Sequence, residues 1–117
     1  MSPEEIVRAE LGAWNRRDVD EIMSHFAADA VWVPYRPVNG HEQIRRTVEE
    51  YLSHLSYVDF EVLNLGVAGN VVLTERADHL VMDEKPMETR IMSVFEVTGE
   101  KITVWRDYFD PQFNHQP

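Results

Sequence analysis

The sequence predicts an α+β fold, with three N-terminal helices packed on one face of a strongly curved antiparallel sheet. Two observations carry this. Before residue 57, apolar residues recur at helical spacing in three stretches, each behind a start signal. From residue 57 onward, four long strand-like runs are separated by short turns. No repeat, linker or low-complexity segment interrupts the pattern, so a single domain over 1–117 with one core is expected.

Each element has its own signal. Ser2-Pro3-Glu4-Glu5 reads as an N-cap, a proline at the first helical position and a capping-box glutamate. Ile6, Val7, Leu11 and Trp14 follow at helical spacing, and Asn15-Arg16-Arg17 ends the run. Asp18 and Glu21 repeat the cap spacing before a short helix that buries Ile22, Met23 and Phe26. Val31 to Val33 predicts a short strand stopped by Pro34 and Pro37. Asn39-Gly40 introduces a third helix with Ile44, Val48, Tyr51, Leu52 and Leu55 on one stripe, and Glu42 paired with Arg46 on its charged face. Strands over 58–68 and 71–82 flank the hairpin signal Gly69-Asn70. A turn at Asp83-Glu84-Lys85-Pro86 leads to a strand over 87–97, and one at Thr98-Gly99-Glu100-Lys101 to a last strand over 102–109. A curved sheet covered at one end by helices leaves a concave cavity, a common small-molecule site.

Composition narrows the partners. An apolar fraction of 44% suits a folded globular chain. Eleven basic against 21 acidic residues give a net charge of −10, which repels phosphate backbones and anionic lipid and so argues against nucleic acid and membrane partners. No cysteine is present, which excludes thiol catalysis and disulfides and suits a cytoplasmic location. The five histidines show neither HxH nor HExxH spacing, so no metal site is expected. Met1 to Glu5 has no basic or apolar region, so no signal peptide is expected, and no apolar run nears the ~20 residues of a membrane helix.

The chemistry concentrates on the later strands. Alternation over 102–109 places Thr103, Trp105, Asp107 and Phe109 on one face, so a carboxylate sits among aromatics. Alternation over 73–80 places Thr74, Arg76, Asp78 and Leu80 together, with Glu75 and His79 opposite. A buried carboxylate costs several kcal/mol unless paired or protonated, and Arg76 between two Asp residues forms a compensated set. Two carboxylates near one guanidinium separate in proton affinity, so one serves as base and the other as acid. Inward charges also serve purely structural roles on sheets, and the residues alone leave that reading open.

Leu73-Thr74-Glu75-Arg76-Ala77-Asp78, taken with Lys101-Ile102-Thr103-Val104-Trp105-Arg106-Asp107-Tyr108-Phe109-Asp110, resembles the paired signature of the limonene epoxide hydrolase family. Phe26-Ala27-Ala28-Asp29 and the Asn39-Gly40 helix start resemble the wider nuclear transport factor 2-like superfamily. The resemblance covers most of the chain. It implies a mixed sheet rolled into a cone-shaped barrel with an internal pocket, and one-step opening of a small apolar, terpenoid-like epoxide to a diol without cofactor or covalent intermediate. It also implies a homodimer. Carried over by position, Asp107 is the base that activates water, Asp78 the acid, and Arg76 the bridge between them.

The sequence departs from the family at the water site. Where the family has a Tyr and an Asn two residues apart on the first strand, Trp32 and Pro34 stand here, and Tyr35 and Asn39 are the nearby residues able to substitute in a shifted register. Expected pocket walls are Leu11, Trp14, Trp32, Tyr35, Leu80, Ile91, Phe109 and Phe113, with a bulge near Gly99 deciding whether Ile91 or Met92 faces inward. Two rival readings keep the fold: a polyketide cyclase-like or isomerase-like proton-transfer enzyme, and a non-catalytic small-ligand module. A ligand module has no need of carboxylates on either side of an arginine.

Overall fold

The computed structural model describes residues 1–111 and 114–115. In helix α1 (Pro3–Asn15) the predicted capping box is formed: the Ser2 hydroxyl accepts from the Glu5 N–H at 3.2 Å, and the Glu5 carboxylate accepts from the Ser2 N–H at 2.8 Å. Asp18 caps α2 (Val19–Ser24) by accepting from the Glu21 N–H. Phe26 is buried as expected, but it opens strand β1 (Phe26–Val33) instead of closing α2. This strand starts five residues before the expected one. Helix α3 (His41–Ser53) begins at Gly40, whose φ of 82° disfavours any residue with a side chain. The stripe on α3 is Ile44 and Val48 at its deepest, while Leu55 already belongs to β3 (Leu55–Ala68).

Strand β4 (Val71–Met82) has its predicted bounds, and Gly69 takes φ 63° in the turn before it. The next turn is tighter than expected. Asp83 and Glu84 both adopt positive φ, so Lys85 and Pro86 join the ladder and β5 spans Lys85–Thr98. Strand β6 covers Lys101–Tyr108, and the short β2 (Val38–Asn39) and β7 (Asn114–His115) were not expected. The strand path is β2-β1-β6-β5-β4-β3, with β7 alongside β5. All pairs are antiparallel except β1 with β6, so the sheet is mixed. The sheet is curved but not closed, which corrects the barrel: β2 and β3 end the path, and α1 packs on β3 and α3 on β1 in place of further strand pairing.

One bulge matters for the site. Val97 pairs with Ile102 but Glu96 pairs with Val104, leaving Thr103 as the extra residue, its hydroxyl turned to the Glu96 carbonyl at 3.1 Å. Ile102, not Thr103, is therefore buried beside Trp105, and alternation resumes from there to Asp107. Upstream of this, β5 is regular, so Ile91 faces inward and Met92 is exposed.

The core joins Ile6, Val7 and Trp14 of α1 to Ile44 and Val48 of α3 and to Phe95, Ile102 and Trp105 of the sheet. Within it lies Glu10, fully buried, whose two oxygens have no hydrogen-bond partner among the described residues. Burial pushes its carboxyl well above the usual range, and the indole of Trp14 one turn on gives only partial relief. A raised native pKa means that the folded chain holds this proton more tightly than the unfolded one. Stability from this group is thus full at low pH and is lost as pH rises through the native pKa. Glu10→Gln is expected to raise stability by about 1–3 kcal/mol at pH 8. Its gain should shrink towards zero near pH 4, measured by denaturant unfolding at both pH values. An equal difference at the two would contradict a protonated, buried Glu10.

Candidate active site

The inward residues of β4, β5 and β6 form rows across the sheet. Thr74 pairs with Ser93 and Ser93 with Asp107, while in neighbouring rows Arg76 pairs with Ile91 and Asp78 with Thr89. Arg76 is 1% exposed and donates four hydrogen bonds. Two form a fork to Asp78, Nε to Oδ1 at 2.9 Å and Nη2 to Oδ2 at 3.0 Å; from Nη1, one reaches Thr74 at 3.1 Å and one Ser93 at 2.8 Å. Its cation also lies over the Phe60 ring at 5.1 Å and the Trp105 ring at 5.9 Å.

The expected bridge is corrected here. Arg76 touches Asp78 directly but reaches Asp107 through Ser93, whose hydroxyl donates to Asp107 Oδ1 at 2.5 Å. The reason is register: β5 lies between the two aspartate strands, so its inward serine fills the gap. Trp105 Nε1 donates to the same oxygen at 2.7 Å. Asp107 Oδ1 therefore takes two donors, while among the described residues no hydrogen bond ends on Oδ2.

Burial raises both carboxyls. For Asp78 the Arg76 fork opposes the rise, and for Asp107 the charge of Arg76 and the Ser93 and Trp105 donors do so, while the negative charge of Asp78 adds to it. Both groups thus take up protons more readily than ordinary aspartates.

These residues line a cavity of about 220 Å³ with mostly apolar walls. Of the predicted walls, Trp14, Trp32, Tyr35, Leu80, Ile91 and Phe109 line it, with Arg76, Asp78 and Asp107. Leu11 does not: it packs in the core one turn before Trp14, and Trp14 reaches the cavity instead. Phe113 lies outside the described residues. Tyr35 is 81% exposed at the mouth, edge-on to Phe109 at 5.4 Å. Asn39 is exposed in β2 and away from the cavity, so it does not complete a shifted water site with Tyr35.

The sequence reading missed Ser93, Tyr51, Thr47 and Phe60. Ser93 had a signal, as a hydroxyl between inward Ile91 and Phe95. Phe60 is held where the end of α1 meets β3: its N–H donates to Asn15 Oδ1 at 2.7 Å, and its ring stacks on Trp14 at 5.6 Å. Trp14 also meets Trp32, Tyr51 and Trp105, making a rigid aromatic wall. Among the described residues no three His, Asp or Glu side chains converge as a metal site requires.

A family model described as the limonene-1,2-epoxide hydrolase catalytic domain matches residues 1–114. The chain is 35% identical over 108 residues to epoxide hydrolase EphG of Mycobacterium tuberculosis (strain ATCC 25618 / H37Rv), across 89% of this chain and 70% of that protein. A solved LEH-like epoxide hydrolase from M. tuberculosis superposes with a TM-score of 0.83 at 28% identity, over 93% of this chain and 83% of that one. A Catenulispora acidiphila protein with a ketosteroid isomerase-like fold, solved in complex with trimethylamine, gives a TM-score of 0.84 at 23% identity, over 97% and 90% of the two chains. That last likeness is one of fold.

Proposed function

Since the chain belongs to the limonene-1,2-epoxide hydrolase family and is an epoxide hydrolase, we propose that it opens a small apolar epoxide in one step, with Asp107 as base and Asp78 as acid. The observation that carries this is Asp107 Oδ2, free of hydrogen bonds from the described residues, at an apolar cavity where Asp78 is held by Arg76. Water gives a proton to Oδ2 as its oxygen attacks a ring carbon. The electron pair of the breaking C–O bond passes to the ring oxygen, which takes the proton of Asp78. Burial favours the proton on Asp78, and the fork of Arg76 fixes where the carboxyl stands. Ser93 and Trp105 hold Oδ1 and so aim Oδ2. Afterwards the proton on Asp107 returns to Asp78, restoring the starting state.

The apolar walls and the small volume support a compact hydrocarbon epoxide, and the net charge of −10 disfavours an anionic one. The proposal includes a homodimer, supported by Leu73, Met92 and Tyr108 exposed on the outer face of the sheet.

A single turnover with enzyme in excess, in ¹⁸O water, tests the mechanism. Direct attack places the label in the diol at the first turnover. An unlabelled first-turnover diol would mean that a carboxylate oxygen of the protein is transferred, through an ester. Absence of diol from a panel of cyclic and terminal epoxides would sink the substrate class.

A further inference from the structure

A water on Asp107 Oδ2 needs a second polar contact to be held in an attacking orientation. The first strand offers none. Pro34 has no side-chain donor or acceptor, and the Trp32 N–H is sealed from solvent without a partner among the described residues. On the sheet side, Arg76 is engaged with Asp78, Thr74 and Ser93, and both Asp78 oxygens are in its fork. Thr89 lines the cavity too far along β5, four residues from Ser93 and thus about 13 Å away at the rise of a strand. From the helix side, the Thr47 hydroxyl donates to the Gln43 carbonyl at 2.9 Å. Tyr35 stands 81% exposed at the mouth, where bulk water competes for it.

Tyr51 remains. It follows Thr47 by one turn of α3, lines the cavity opposite the carboxylate strands, and is fixed edge-on to Trp14 at 5.9 Å. Its hydroxyl has no hydrogen-bond partner among the described residues. We infer that the Tyr51 hydroxyl holds the attacking water: its oxygen accepts one water O–H while Asp107 Oδ2 accepts the other. The proton on Tyr51 is not consumed, and the water hydrogen that it holds leaves with the diol. Burial keeps this phenol protonated, and the charges of Asp78 and Asp107 add to the effect, so the hydroxyl stays neutral across the working pH range.

This assignment rests on the hydrolase reading above, and one experiment separates the two. Steady-state diol formation is measured for the parent, Tyr51→Phe, Tyr51→Leu and Tyr57→Phe on an epoxide from the panel. Tyr51→Phe is expected to lower kcat about 100-fold. KM should stay close to the parent's, Tyr51→Leu should be no slower than the Phe variant, and Tyr57→Phe, an exposed tyrosine outside the cavity, should behave as the parent. A Tyr51→Phe variant with parental kcat, or with only a raised KM, overturns the Tyr51 assignment and leaves the hydrolase reading standing. A parent that forms no diol overturns both.

Discussion

Asp107→Asn is expected to lower kcat by about 10²- to 10⁴-fold in a chain that stays folded. Asparagine keeps an Oδ1 that accepts from Ser93 and Trp105, so the packing survives. At the Oδ2 position it presents an amide N–H₂, which donates where the mechanism needs an acceptor. In the parent, kcat/KM should rise with pH through the Asp107 pKa, which burial sets above the ordinary aspartate range against the opposing charge of Arg76. The residual rate of the variant should lose that limb. Stability at neutral pH should not fall, because a carboxyl with a raised native pKa disfavours folding more as pH rises. Parental kcat in a folded Asp107→Asn chain would refute its role as base.

The second large effect is on stability. Arg76→Met leaves Asp78 buried without its fork and should cost about 3–5 kcal/mol at neutral pH. The loss should shrink as pH falls below about 4, where Asp78 is protonated in the unfolded chain as well. Arg76→Met with Asp78→Asn should recover part of it, since no buried carboxyl is then left to be either charged or protonated without its partner. Urea unfolding of the three variants at two pH values measures this. If the double variant is no more stable than Arg76→Met alone, the cost arises from lost packing over Phe60 and Trp105 and not from the ion pair.

The sequence disclosed those parts of the site that depend on alternation within one strand. Strand β4 pairs with β5 over its whole length without a shift, so Thr74, Arg76, Asp78 and Leu80 share the inward face as period two requires. What joins neighbouring strands was not legible. The Ser93 link depends on lateral register, and that is set at a bulge and through the parallel pairing of β1 with β6, a contact between distant segments. The start of β1 was hidden because Ala27-Ala28-Asp29 has no strand pattern, and its pairing with β6 jumps from Phe26 to Val31. Tyr51 was read only as one member of an apolar stripe; periodicity reports which way a side chain faces but not what its hydroxyl meets.

The extra residue at Thr103 has a bearing on how the chain tolerates changes of length. Losing it would turn the irregular stretch of β6 into a plain ladder, with Trp105 still opposite Phe95 and Asp107 still opposite Ser93. Strand β4 has no such slack against β5. A single-residue deletion between Asn70 and Arg76 would turn either the hairpin or the Arg76–Asp78 set to the wrong side of the sheet. Shortening by one residue is therefore open to the strand that carries the base and closed to the strand that carries the acid, so of these two strands viable deletions should fall in β6.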